Sequence, residues 1–114
     1  MRPSDSERLK HLLDALTEAR DLLGDSTASE VEEDRKLGLA LVKLIEIAGE
    51  AASRVSDEQK RRMASIPWEK LVATRNRLIH GYFDVDVRIV VQTILEDFPP
   101  LIRALEKVTR SNGL

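Results

Sequence analysis

The sequence predicts an all-α fold, an antiparallel bundle of about five helices. Three observations carry that prediction. Apolar residues recur at helical spacing along most of the chain, helix starts and stops punctuate it, and no stretch alternates with the two-residue period of a strand. The composition agrees: 42% hydrophobic and 33% charged residues, with only 5 Gly, 4 Pro and 4% aromatics. At 114 residues the chain is expected to form a single helical domain, 1–114, with a modest core.

The first helix is expected from Asp5 to Leu23, with Leu9, Leu12, Leu13, Leu16, Ala19 and Leu23 on one face. Ser4 and Glu7 form a capping-box pattern at its start, and Gly24 is its expected stop. Ser29 and Glu32 repeat that pattern before a second helix expected to run without a break to Val55. Its positions Leu37, Leu41, Leu44, Ala48, Ala51 and Val55 step by 4, 3, 4, 3, 4, and Leu39, Val42, Ile45 and Ala52 widen the stripe. A helix so broadly apolar is either central in a bundle or shared with a partner chain. Its Ala48, Gly49, Ala51 and Ala52 allow another helix to approach closely.

Ser56 and Gln59 open a short basic helix ending near Ala64. Pro67 suits the first turn of a fourth helix, where Trp68 is a core anchor and Gly81 the stop. Asp84 or Asp86 caps the next helix. Its Val87, Val91, Ile94, Phe98, Leu101, Leu105 and Val108 step by 4, 3, 4, 3, 4, 3 straight through Pro99 and Pro100. An uninterrupted register across two prolines implies two collinear helices or one kinked helix.

Several function classes drop out. With no cysteine there is no disulfide scaffold, thiolate metal site or cysteine nucleophile, and two histidines make no structural zinc site. No metal or other cofactor is expected. The N-terminal residues lack the apolar run of a signal peptide, and no apolar run reaches the roughly 18–20 residues of a membrane span; the expected location is the cytoplasm. A net charge of -2, from 18 basic and 20 acidic residues, argues against a protein that coats nucleic acid. That balance is nonetheless uneven. Asp5–Asp34 holds ten acids and three bases, whereas Arg54–Arg77 holds seven bases and three acids. Such runs are ordinarily solvated helix faces, but the basic one leads into the most polar motif of the chain.

That motif is Arg75-Asn76-Arg77-Leu78-Ile79-His80-Gly81-Tyr82-Phe83. At 100° per residue, Asn76 and His80 stack one turn apart, so Asn76 can orient the imidazole. Arg75 lies about 140° round the helix from His80, and the two can flank one cleft where the helix ends. An arginine and an oriented histidine suffice for metal-independent phosphodiester cleavage. The histidine moves a proton to or from a ribose hydroxyl, and the arginine holds the phosphate and its transition-state charge. A 2′-hydroxyl nucleophile makes the substrate RNA. Spacing alone is a weak signal, and its plainer reading is a partly buried structural histidine beside an interface arginine.

The motif resembles the signature of the HEPN superfamily, and specifically of HepT-like toxins: Arg, four residues, His, any residue, Tyr. Arg75, His80 and Tyr82 stand at that spacing, with Asn76 following the arginine. Glu33-Asp34-Arg35-Lys36, the stretch from Ile45 to Ala52, and Ile66-Pro67-Trp68 resemble the same family in the same order, from about Glu7 to Val108. The resemblance implies a helical homodimer whose two motifs face one another across a cleft. It implies catalysis by Arg75 and His80, with Asn76 in support. It further implies a type VII-like toxin–antitoxin pair with an MNT-type nucleotidyltransferase, which inactivates the toxin by transferring adenylate to Tyr82. Negative bulk two residues from His80 would repel an RNA phosphate.

Further candidates are Arg77 and Phe83 as RNA contacts, and Glu46 or Glu50 on the second helix as the residue that orients Arg75. The last two share a polar strip with Lys36, Lys43, Arg54 and Asp57 whose plain reading is a solvent edge. Lys60, Arg61 and Arg62 read as a solvated short helix that could extend an RNA track, and His11 as an exposed bystander. Two other readings stand beside the ribonuclease. One is a non-catalytic HEPN module that binds nucleotide or serves as the substrate-binding subunit of a nucleotidyltransferase. The other is a structural helical dimerisation module, which leaves the cluster of Arg, Asn, His and Tyr unexplained.

Overall fold

The computed structural model describes residues 3–80 and 86–111, with the side chains at 79, 80, 110 and 111 outside the description. Every described element is helical, as the periodicity predicts. In chain order they are α1 (Pro3–Leu23), α2 (Ala28–Glu33), α3 (Arg35–Arg54), α4 (Asp57–Arg62), α5 (Trp68–His80), α6 (Val87–Gln92), a π-helical turn (Thr93–Asp97) and α7 (Phe98–Ser111).

Helix α1 begins earlier than expected, with proline in its first turn, so Ser4 lies inside the helix rather than capping it. Gly24 ends it with φ of +53°, a left-handed conformation that glycine adopts without strain, and its N–H donates to the Arg20 carbonyl. Asp5 is buried. Its carboxylate accepts from the Ser56 backbone N–H at 2.8 Å and from Ser56 Oγ at 2.7 Å. The start of α1 is thereby tied to the end of α3, and the two long helices run antiparallel.

The expected second helix is two helices. The capping box forms at Thr27 and Glu30, two residues before the expected pair, and opens α2. Asp34 then closes α2 with its backbone N–H and opens α3 by accepting from the Leu37 N–H at 3.1 Å. A single extended residue is enough for this break because a short acidic side chain supplies the new cap. Ser56 caps α4 by accepting from the Gln59 N–H, as its spacing predicts. Pro67 stands just outside α5, where its carbonyl accepts the first helical bonds from Lys70 and Leu71. Trp68 is buried and donates its indole N–H to the Met63 carbonyl at 3.1 Å, anchoring the start of α5. The expected stop at Gly81 lies outside the described residues.

Asp86, not Asp84, appears as the cap of α6, accepting from the Arg88 N–H; Asp84 is outside the described residues. The proline problem is solved by the π-helical turn immediately before Phe98-Pro99-Pro100. Proline lacks an N–H and its ring crowds the carbonyl four residues back, and a wider turn relieves both. Ile94, Phe98, Leu101 and Leu105 therefore remain buried on one side through the disturbance.

Helix α3 is the centre. It packs against α1 on one flank and α5 on another, with α2 and α6 also touching it, while α7 and the π-helical turn close over α1. Its wide apolar stripe is explained by that position; Ile47 is its one large exposed hydrophobic side chain. The core is built from Leu9, Leu12 and Leu16 of α1, Leu41 of α3, and Phe98 and Leu105 of α7. Expected core positions Leu13, Leu37, Val87 and Val108 lie at its edge, partly buried. No described helix is long and apolar enough to cross a membrane.

Candidate active site

The site is set by the crossing of α3 and α5. Gly49 lies directly under Arg75: a β-carbon there would stand 2.3 Å from Arg75 Cβ and 3.0 Å from both Arg75 Cγ and the Leu71 carbonyl oxygen. No larger residue fits without separating the helices. The close approach puts Arg75 beside the next residue of α3, and Arg75 Nη1 donates to Glu50 Oε2. The arginine side chain is only 20% exposed. Its Nε is buried and makes no hydrogen bond among the described residues.

Glu50 is shared between two arginines. Its other oxygen, Oε1, accepts from Arg54 Nε at 2.8 Å, one helical turn along α3. The Arg54 hydrogen bond is the main influence holding its carboxyl below the usual glutamate range; partial burial opposes it, and the hydrogen bond and charge of Arg75 add to it. Glu50 is therefore a carboxylate at neutral pH and braces one edge of the Arg75 guanidinium. The Nε is enclosed, so an incoming phosphate oxygen would meet the part of the guanidinium that the 20% exposure of the side chain leaves open.

Of the two acidic candidates on α3, Glu50 meets Arg75 and Glu46 does not. Glu46 pairs with Lys43 at 3.8 Å, on the groove between α1 and α3 that His11 also lines. The consecutive motif residues diverge. Asn76 is exposed on a groove of about 860 Å³ between α4 and α5, beside Lys60 and Arg61. Arg77 is exposed on a groove of about 600 Å³ between α5 and α6, beside Asp86. Arg62 pairs with Glu58 at 2.9 Å. His80 is the last residue of α5, one turn beyond Asn76, and its side chain lies outside the description; Tyr82 and Phe83 are outside the described residues. Among the described residues no group of three or more His, Asp or Glu is arranged to hold a metal ion.

Two contributors were not assigned from sequence. Gly49 belonged to a small-residue cluster that pointed to a close helix approach without naming the helix, and Arg54 stood four residues from Glu50, the spacing of an ion pair on one helix face.

The family described as "Ribonuclease HepT-like" matches residues 12–108, a span that contains Gly49, Glu50, Arg54, Arg75, Asn76, His80 and Tyr82. The chain belongs to the HepT-like family. This HepT-like chain is 35% identical over 105 residues to "Probable ribonuclease HepT" of Thermococcus cleftensis, covering 89% of the chain and 96% of that protein. It is 29% identical to a "Putative RNase" of Caldanaerobacter subterraneus, over 88% of the chain and 89% of that protein. A "Putative RNase" of Methanocaldococcus jannaschii is also 29% identical, over 85% of the chain and 92% of that protein. No solved structure matches it.

Proposed function

We propose that this HepT-like chain is a metal-independent endoribonuclease, the toxin of a type VII-like HEPN/MNT pair. The observation that carries the reading is Arg75 braced by Glu50, on the helix whose last residue is His80. Family membership supplies the ribonuclease class.

In this reading Arg75 holds the scissile phosphate and stabilises the extra negative charge of its pentavalent transition state. His80 takes the proton from the ribose 2′-hydroxyl, whose oxygen attacks the adjacent phosphorus. The bond to the 5′-oxygen breaks, and that oxygen takes up a proton. The products are a 2′,3′-cyclic phosphate and a free 5′-hydroxyl. Asn76, one turn before His80, orients the imidazole; Arg77 and Phe83 contact the RNA beside it. Two copies bring their motifs together across a dimer cleft, so each copy of His80 has a counterpart to serve as the opposite proton carrier. The partner nucleotidyltransferase adds adenylate to Tyr82, and the added negative charge excludes the RNA phosphate.

Expression in a bacterial host tests the reading. The parent inhibits growth, and His80→Ala and Arg75→Ala variants that remain folded do not. Where a neighbouring reading frame encodes an MNT-type nucleotidyltransferase, its co-expression restores growth and adds the mass of adenylate to the parent but not to Tyr82→Phe. If the folded His80→Ala and Arg75→Ala variants are as toxic as the parent, the assignment is wrong.

A further inference from the structure

Glu50 and Arg54 do more than brace Arg75: they also line the groove of about 330 Å³ between α1 and α3. Arg8 stands on its α1 wall and Lys43 on its α3 wall, with the exposed side chain of Ile47 between them. Arg8 makes no ion pair with a described residue. The pair between Lys43 and Glu46, at 3.8 Å with the lysine 71% exposed, is too long and too wet to hold the ammonium. The charge of Glu50 is already met by Arg54 and Arg75. Glu46 also lines the groove, so with Arg54 committed to Glu50 the groove offers an anionic ligand two cations, Arg8 and Lys43, against one carboxylate.

Of the other two grooves around the motif, the one between α5 and α6 is more acidic: Arg77 shares it with Asp86 and Glu96, while Lys70 is taken by Asp97 at 3.2 Å. Between α4 and α5, Lys60, Arg61 and Lys70 share the lining with Asp57 and Glu69, the same balance as in the α1–α3 groove. Among the described residues, only the α1–α3 groove is connected to Arg75 by hydrogen bonds, because Arg54 and Arg75 hold opposite oxygens of one carboxylate.

We infer that the α1–α3 groove binds the backbone of the RNA strand flanking the cleaved bond, with Arg8 and Lys43 on its phosphates. The inference rests on the ribonuclease reading and adds the path of the substrate to it. It gives the acidic N-terminal third of the chain a substrate-facing edge, which its overall charge conceals.

The test is equilibrium binding of a short single-stranded RNA by anisotropy across a salt series, in a His80→Ala background that cannot cleave. Arg8→Gln with Lys43→Gln removes two phosphate contacts. Affinity falls and the plot of log affinity against log salt flattens by about 1.4, at about 0.7 per phosphate on a single strand. Lys60→Gln with Arg61→Gln leaves the slope unchanged. Sedimentation and circular dichroism accompany each protein. An unchanged slope in the folded Arg8/Lys43 variant overturns the inference, as does flattening by the Lys60/Arg61 variant instead. An unchanged slope with separation of copies also overturns it and assigns the groove to a contact between chains. In those cases the parent still cleaves; a parent that neither binds nor cleaves RNA removes the ribonuclease reading itself.

Discussion

Gly49 and Arg75 touch across the α3–α5 crossing so closely that the glycine hydrogen occupies the only space available: a β-carbon at 49 would lie 2.3 Å from that of Arg75. The contact links a packing requirement to the chemistry, because the residue after Gly49 holds the arginine.

Gly49→Ala is therefore expected to weaken both fold and activity. Overpacking of this kind costs about 1–3 kcal/mol, read from urea or thermal unfolding. RNA cleavage should fall further than the loss of folded protein explains, because separating the helices moves Arg75 away from Glu50. Equal stability and equal cleavage in the alanine variant would show that the crossing relaxes freely.

Glu50 makes a prediction about pH. Its carboxyl is held below the usual glutamate range, chiefly by Arg54, against partial burial and with help from Arg75. A group depressed on folding contributes stability above its unfolded value and loses it as pH falls through its folded value. The stability difference between the parent and Glu50→Gln should thus be full at neutral pH and shrink on acidification below the ordinary carboxylate range. Denaturation midpoints between pH 3 and 7 measure it; a difference independent of pH contradicts the assignment.

Asp5 and Ser56 join residues 51 positions apart. Asp5→Ala strands the Ser56 N–H in a partly buried site and should cost about 1–3 kcal/mol. Ser56→Ala removes the hydroxyl bond to Asp5 and the cap of α4 together. A double-mutant cycle should show the two losses to be less than additive. Additive losses would mean that the residues act independently.

Most of the helical layout was legible because it is written in local spacing. Leu9 to Leu23 and Leu41 to Val55 mark their buried faces directly, and Gly24, Ser56 and Asp86 announce boundaries by chemistry that acts within one turn. The break at Asp34 was hidden because the charged run from Glu32 to Lys36 also fits the solvated face of an unbroken helix, and no glycine or proline marks it. The π-helical turn was hidden for a related reason: the prolines disturb the backbone, but Ile94, Phe98 and Leu101 keep their faces. At the site, Arg75 could be picked out by its place in a motif. Its partner could not, since Glu46 and Glu50 lie one turn apart on the same strip. The choice between them depends on where α5 crosses α3, which Gly49 decides and local spacing does not encode.

The central claim is that Arg75 and His80 cut RNA without a metal ion. Purified, folded parent and His80→Ala protein, each incubated with RNA in excess chelator, test it most directly. The account predicts cleavage by the parent, with fragments ending in a 2′,3′-cyclic phosphate, and a loss of at least about 100-fold in His80→Ala, the lower end of what a positioned proton carrier contributes. Cleavage by His80→Ala at the parental rate, or a parent active only when a divalent metal is supplied, would contradict it.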